Sequence, residues 1–392
     1  MGVPYRSTRM ALIWVVALCM LAISTQHARA NGWGGTLTIG ATPAPQPGDD
    51  IVHVDANNPS VALTVNLSQP LSTGYYLSVY DDTNVRVGYW SYSTMGSSME
   101  RTLSVSLPVN TTRSYTAYVA QDIPSPGPPI TDALASPVTV VQNDGWIGSV
   151  SVSADRVTTD ANNPSATLTM VLDRPLASGY YLSVYDDANT RVGYWSYSTL
   201  GSSTVKTQVV TPPVNSGRTY TVAVSRDVPT PGPPTQDVRS PQTITVTNVG
   251  WIGSVSVSAD RVTTDANNPS VVFTVSLDRP LAGPYYLSIY DELGRPIVVK
   301  MSGGPWPDPM YYVSPSDLNG QTTIAFRSLT LGNLASHTYR AYVSMDHPAT
   351  GPPLNDVTAS NAVTVTDVGW IGSVSVSADR VTTDANNPSV VF

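Results

Sequence analysis

The sequence predicts an all-β chain of tandem antiparallel sandwiches, and three observations carry that prediction. The 392 residues repeat themselves, the apolar residues of each repeat alternate with period two, and turn-forming clusters interrupt every run. A chain this long accommodates roughly two to four domains.

The repeat is the strongest of the three. Asp55-Ala56-Asn57-Asn58-Pro59-Ser60 returns at Asp160–Ser165, Asp265–Ser270 and Asp384–Ser389, spaced by 105, 105 and 119 residues. Gly145–Ser165 is identical to Gly250–Ser270, and Gly250–Phe273 to Gly369–Phe392. A Tyr-Tyr-Leu-Ser-(Val/Ile)-Tyr-Asp segment recurs at Tyr75–Asp81, Tyr180–Asp186 and Tyr285–Asp291, and an aromatic strand at Tyr115–Val119, Tyr220–Val224 and Tyr339–Val343. The organisation reads as a leader over 1–30, repeats over 31–143, 144–248 and 249–367, and the truncated start of a fourth over 368–392. A sandwich with so few strands cannot bury its faces, so that last stretch is expected to pack poorly.

Within a repeat, Val61, Leu63, Val65 and Leu67 fall on one face, as do Ala166, Leu168, Met170 and Leu172, and Val271, Phe273, Val275 and Leu277. That is a strand period, not a helical one. Strands are expected in repeat one near 36–40, 61–67, 75–80, 85–93, 101–107, 115–120 and 137–141, with no helix longer than a turn. About seven strands per repeat fits an immunoglobulin-like or fibronectin-III-like sandwich. Tyr115, Tyr220 and Tyr339 open the penultimate strand, where such folds place a tyrosine whose hydroxyl ties back to nearby backbone. Without a Cys-Trp-Cys core, the fibronectin-like or a divergent version is expected. Only Gln142–Gly145 separate the last strand of repeat one from Trp146, too few for a floppy tether, so a semi-rigid succession is expected. Trp33, Trp146, Trp251 and Trp370 open their repeats; each either fills the end of its own core or wedges against a neighbour.

The Tyr75–Asp81 and Tyr115–Val119 segments and their counterparts resemble secreted bacterial Ig-like repeats, of the kind arrayed in exported actinobacterial-type proteins. The resemblance covers most of 31–392 and describes a scaffold, not a chemistry. Many such repeats carry a Cys-x-x-Gly-x-x-Cys-like segment after the Tyr-Tyr strand; here Gly88–Ser97 holds neither cysteine. The resemblance implies an exported spacer, stalk or adhesion role, often beside another domain that carries the activity.

Composition narrows the rest. Lys+Arg number 20 against 28 Asp+Glu, with no basic excess to meet phosphates, so nucleic acid is not an expected partner. Met1–Ala30 reads as a secretory signal: Arg6 and Arg9, an apolar run over Met10–Ile23, and Ala28-Arg29-Ala30 as the cleavage site. The single cysteine, Cys19, lies within it behind Leu18, which is not the small residue a lipid-anchor signal wants. After cleavage no membrane span is expected, and no cysteine is left to form a disulfide or thiolate site.

Motifs for chemistry are sparse. His53, His337 and His347 stand in repeats one and three without ligand partners at metal spacing, and no nucleophile elbow, zinc-protease motif or phosphate loop occurs. Asp81, Asp82, Asp186 and Asp187 sit at hairpin turns, where Asx-turn chemistry is their simplest role. Asp155, Asp160, Asn162 and Asn163 offer hard oxygen ligands near a repeat junction and form a candidate calcium site. Asp-Ala-Asn-Asn-Pro is equally a turn sequence that needs no metal, and calcium is the only cofactor considered. On the strand expected over Val85–Ser93, Trp90 and Tyr92 share a face, as do Trp195 and Tyr197 in repeat two; solvated, they are candidate ligand-binding residues, and turned inward they are core. Repeat three replaces this hairpin with Ile297–Lys300 and a Gly303–Pro307 insertion. Proline-rich loops at Pro124–Pro129, Pro229–Pro234 and Pro348–Pro353 are expected to be stiff.

The expectation is therefore an exported non-enzymatic array of Ig-like repeats, acting as a stalk or surface interaction module, with a cell-surface glycan or protein as partner. The alternatives are a targeting array for an enzyme or toxin whose catalytic domain is not in this sequence, and a carbohydrate-binding module.

Overall fold

The computed structural model describes residues 32–121, 127–226, 232–297, 312–330, 334–346 and 351–378, with Thr382, Ser389 and Val391. The leader, the centres of the three proline-rich loops, His347 and the Gly303–Pro307 insertion lie outside the described residues.

Repeat one contains β1 (Leu37–Thr42), β2 (Ile51–Val54), β3 (Ser60–Leu67), β4 (Tyr76–Asp81) and β5 (Arg86–Ser91), then a helical turn, α1 (Tyr92–Met95). It continues through β6 (Glu100–Ser106), β7 (Thr112–Ala120), β8 (Leu134–Ala135) and β9 (Thr139–Asn143). One sheet has the order β1-β3-β6; the facing sheet has the order β2-β9-β7-β4-β5, with β8 added beside β7. Neighbours are antiparallel except β2, which runs parallel to β9. The first strand is thus shared between the two sheets, three strands face six, and the sandwich is Ig-like. The sequence missed β2 because Ile51-Val52-His53-Val54 is short and broken by a histidine; Val52 and Val54 nonetheless point into the core.

Alternation decides the packing. Val61, Leu63, Val65 and Leu67 are buried on β3, and the equivalent strands of repeats two and three bury the same four positions each. Trp33, Leu77, Val79, Tyr115, Ala117 and Val119 join them in a single core cluster of repeat one. Burying side chains of this size contributes roughly 1.5–3 kcal/mol apiece, which is what a sandwich without disulfides has to rely on.

The same plan recurs. Repeat two pairs Val150–Ala154, Ala166–Leu172 and Val205–Val210 in one sheet. Its other sheet runs Thr158–Thr159, Arg239–Asn248, Ser216–Ser225, Tyr181–Asp186, Arg191–Ser196. Repeat three repeats both sheets up to Tyr286–Asp291, beside which Val313 forms a bridge with Leu287. The chain divides into two compact units: Met1–Val152 with Met170–Lys206 and Thr221–Thr243, and Ser153–Thr169 with Thr207–Tyr220 and Ile244–Phe392. The junction between repeats one and two lies wholly in the first unit, that between repeats two and three wholly in the second. Among the described residues, 370–378 form no strand, and no helix is long and apolar enough to cross a membrane.

One expected strand is shorter than the sequence suggested. The run expected over 85–93 ends at Ser91, because Ser91 and Thr94 form a reciprocal cap. The Ser91 Oγ accepts the Thr94 N–H at 3.3 Å, and the Thr94 Oγ1 accepts the Ser91 N–H at 2.8 Å. Two orphan donors are satisfied at once, and the chain turns into α1. Ser196 and Thr199 do the same in repeat two. Tyr92 and Tyr197 therefore leave the strand and share no face with Trp90 and Trp195.

Candidate functional sites: repeat joints, acid turns and aromatic hairpins

Each joint is built from a few residues recurring at the repeat spacing. In the first, the Asn143 side chain bridges the end of β9: its Nδ2 donates to the Leu107 carbonyl at 2.9 Å, and its Oδ1 accepts the Gly145 N–H at 3.0 Å. Gly145 has φ 79°, and a Cβ there would collide with the Tyr180 hydroxyl and Asn110 Oδ1. Glycine is required by both the backbone and the crowding.

The Asp55 turn grips this segment. Asp55 Oδ1 accepts the N–H groups of Asn57 and Asn58 at 2.8 and 2.9 Å, freeing the Ala56 N–H to donate to the Gly145 carbonyl at 2.8 Å. The other carboxylate oxygen meets Arg174 Nη1 of the following repeat at 3.2 Å. The Asn57 amide donates to the Pro175 carbonyl at 3.1 Å, the same oxygen that accepts the Trp146 indole N–H at 3.0 Å. Trp146 is fully buried in its own repeat, and the repeat that precedes it is fastened to the carbonyl that orients its indole.

A second cluster closes the joint from the other side. The Trp146 backbone N–H donates to the Tyr180 hydroxyl at 2.9 Å, and that hydroxyl donates to Asp237. Asp237 also accepts Asn110 Nδ2, from the turn between β6 and β7, at 2.9 Å, and is paired with Arg239. Arg239 Nη2 reaches on to the Asp144 carbonyl at 3.0 Å. Burial opposes ionisation of Asp237, yet the hydrogen bonds from Tyr180, Asn110 and Arg239 outweigh it and hold its carboxyl below the ordinary range. Burial, then the hydrogen bond to Asp237, pushes the Tyr180 phenol up to about 12.

The second joint repeats the arrangement. Ala161 N–H donates to the Gly250 carbonyl at 2.8 Å, Asn162 Nδ2 to the Pro280 carbonyl at 2.9 Å, and Trp251 N–H to the Tyr285 hydroxyl at 2.9 Å. Tyr285 bonds Asp356, which Asn215 Nδ2 meets at 2.8 Å. Arg279 stands 4.0 Å from Asp160. Repeat three's core also takes in Ala161, with Val214 packed against it.

These positions answer several expectations. Trp33, Trp146 and Trp251 fill the ends of their own cores, whereas Trp370 is exposed. Tyr115, Tyr220 and Tyr339 are buried, and the hydroxyls of Tyr180 and Tyr285 accept the backbone N–H groups of Trp146 and Trp251. The sequence did carry a signal for them: the first tyrosine of each Tyr-Tyr pair is matched by an aspartate, Asp132, Asp237 and Asp356, recurring with the repeat.

Of the proposed calcium ligands, Asp160 Oδ1 accepts the N–H groups of Asn162 and Asn163 at 2.8 and 2.9 Å, and Asn162 points its amide into the joint. Asp155 Oδ1 accepts the Thr167 N–H at 2.7 Å, which lowers its pKa more than nearby Arg156 does. The two carboxylates therefore cap separate pieces of backbone. Among the described residues no group of three or more acidic or histidine side chains is placed to hold a metal ion. Asp81 is a turn cap too, its Oδ1 accepting Thr83 and Val85 N–H groups at 2.9 Å each, as Asp186 does for Ala188 and Thr190.

On the hairpins, Trp90 is half-buried and packed against the core with its ring over Gly88, and Lys206 lies 5.6 Å from the Trp195 ring. The solvated rings are others. Tyr89 stacks on Tyr76 at 5.8 Å with Arg86 over its outer face, and Tyr194 stacks on Tyr181 at 5.5 Å beneath Arg191. Tyr92 and Tyr197, 44% and 46% exposed, stand on the helical turns beyond.

No protein-family model matches the chain, and a search of curated proteins finds no match. Among solved structures, a chain described under host cell surface retention of a 1.5-MDa bacterial ice-binding adhesin is 12% identical, over 86% of this chain and 98% of that one, with a TM-score of 0.26. Fibronectin(III)-like modules of Clostridium thermocellum CbhA are 12% identical over 55% and 95%, with a TM-score of 0.21. The D0-D1 domain of intimin is 14% identical over 56% and 100%, also with a TM-score of 0.21. At TM-scores this low the superpositions lend no weight to a functional reading.

Proposed function

We propose that this chain is an exported, non-enzymatic array of Ig-like repeats of the actinobacterial type, acting as a stalk or surface interaction module. The observation that carries the reading is the pair of joints: two successive junctions use the same aspartate turn, asparagine amide, proline carbonyl and tyrosine–aspartate pair. Asp81, Asp160 and Asp186 cap turns and Asp155 accepts the Thr167 N–H, which supports a scaffold over a catalyst. Expression with the native leader in a bacterial secretion host tests export. A secreted or surface-bound product beginning near Asn31 is expected, and retention in the cytoplasm overturns the reading.

A carbohydrate-binding role is the second reading, favoured by the stacked and exposed tyrosines rather than by Trp90 and Trp195. A glycan array probed with the wild-type chain and with Tyr89→Ala and Tyr194→Ala tests it. Binding lost in the variants supports it, and a silent wild type ends it.

A further inference from the structure

We propose that Asn110 and Asn215 are latches: single side-chain amides that fix the orientation of one repeat on the next without contributing to the fold of either. The inference rests on the array reading above and adds a mechanical role to two residues of the joint.

Three observations converge on it. The receiving half of each latch is complete before the amide arrives, because Tyr180 and Tyr285 already bond Asp237 and Asp356 and accept the N–H of Trp146 and Trp251 within their own repeats. The amide is the element supplied from outside, at 2.9 Å in one joint and 2.8 Å in the other. Repeat one shows what the receiver requires. There Tyr75 and Asp132 form the same pair, and the amide comes from the repeat's own Gln121, whose Nε2 lies 2.9 Å from the Tyr75 hydroxyl and 3.3 Å from Asp132. The positions equivalent to Gln121 are Arg226 and Met345, so where a preceding repeat donates an asparagine, the internal amide is not used. A tyrosine–aspartate pair meets a neutral amide N–H in all three repeats.

The backbone is prepared for the task. Asn110 and Asn215 have φ of 59° and 56°, the left-handed region that asparagine tolerates better than other side chains. Located on tight turns, their amides project beyond the sandwich instead of into it. Repeat three places Leu334 at this position, with φ 55°, and leucine has no donor. Leu334 therefore brings no amide to the segment where the Ala266 N–H donates to the Gly369 carbonyl at 2.9 Å.

The test is a spin-label distance measurement on the full chain with Cys19→Ser. Paired cysteines replace the exposed, equivalent residues Glu100 and Val205 in repeats one and two, both within the first compact unit. The unmodified joint is expected to give one narrow distance distribution. Asn110→Ala is expected to broaden it at least about twofold while circular dichroism is unchanged. Asn215→Ala, acting in the other joint, is expected to leave the width as it was. A broad distribution before any latch is removed, or an equal width in Asn110→Ala, overturns the latch. Failure of export would overturn the array reading and leave this measurement standing.

Discussion

Removing one hydroxyl, in Tyr180→Phe, tests the joint at its most buried point. Tyr180 is fully buried, accepts the Trp146 N–H at 2.9 Å and donates to Asp237. Phenylalanine keeps the ring packing and deletes both bonds. A buried N–H left without an acceptor costs about 1–3 kcal/mol, and the hydrogen bond to an ionised carboxylate adds about 1.5–3 kcal/mol. Asp237 keeps Asn110 and Arg239, which recovers part of the second amount, so a net loss of about 2–4 kcal/mol is expected. Tyr197→Phe, on an exposed turn, is the control and should stay within about 0.5 kcal/mol. Hydrogen exchange resolves the effect locally: at ~1.4 kcal/mol per tenfold, protection of the Trp146 amide should fall roughly thirtyfold or more. Urea unfolding of the same variants gives the global value. A loss below about 0.5 kcal/mol with unchanged protection at Trp146 would refute the idea that this hydroxyl is the acceptor on which the joint depends.

The alkaline limb draws on the same groups, together with Tyr339, whose phenol is pushed higher still by burial. Tyr180 and Tyr285 are each pushed up to about 12, so the folded chain holds protons that the unfolded chain releases near pH 10. Their contribution is present below pH 10 and is lost as pH rises from 10 to 12, by about 1.4 kcal/mol per pH unit per tyrosine, and equilibrium unfolding across that range should show the slope. His53 acts in the opposite part of the scale. Its hydrogen bond to Asp144 at 2.7 Å, then that to Asp49, raises its pKa above 6.5. That stability is complete below pH 6.5 and lost as pH rises through the raised value; with the ring about a third exposed it is worth ~0.5 kcal/mol or less, and His53→Gln should flatten the dependence in thermal melts. Leu334→Asn should stabilise repeat three by about 0.5–1 kcal/mol, because asparagine relieves a left-handed leucine, and an unchanged or lower melting temperature would count against the strain.

The sandwich was legible because its determinants are local. Alternation in Val61–Leu67, and turns closed by Asp81 and Asp186, act over a handful of residues, and the structure buries and caps those positions as the pattern requires. The shortfall at Ser91 is also local, but there two signals compete. The strand-like run continues through Tyr92, while a serine and a threonine three apart offer a cap, and two satisfied backbone donors outweigh one more residue of strand. β2 was lost for the converse reason, since four residues around a histidine carry too little alternation to register.

The joints were only half legible, because each is made of two parts of different range. Asp-Ala-Asn-Asn-Pro announces a turn and offers oxygen atoms, but it does not say what that turn will meet. The partners of these turns stand far along the chain: Arg174 is 119 residues from Asp55, and the Pro175 carbonyl is 118 residues from Asn57. The guanidinium pairs with the second Asp55 carboxylate oxygen, and its reach follows from one repeat seating on the next. The identical motif at Asp160 faces Arg279 through the same separation. A sequence motif that faces inward within its own repeat can be read from that repeat alone. One that faces across a joint takes its meaning from the neighbour, as the Asp55 and Asp160 turns do from Arg174 and Arg279.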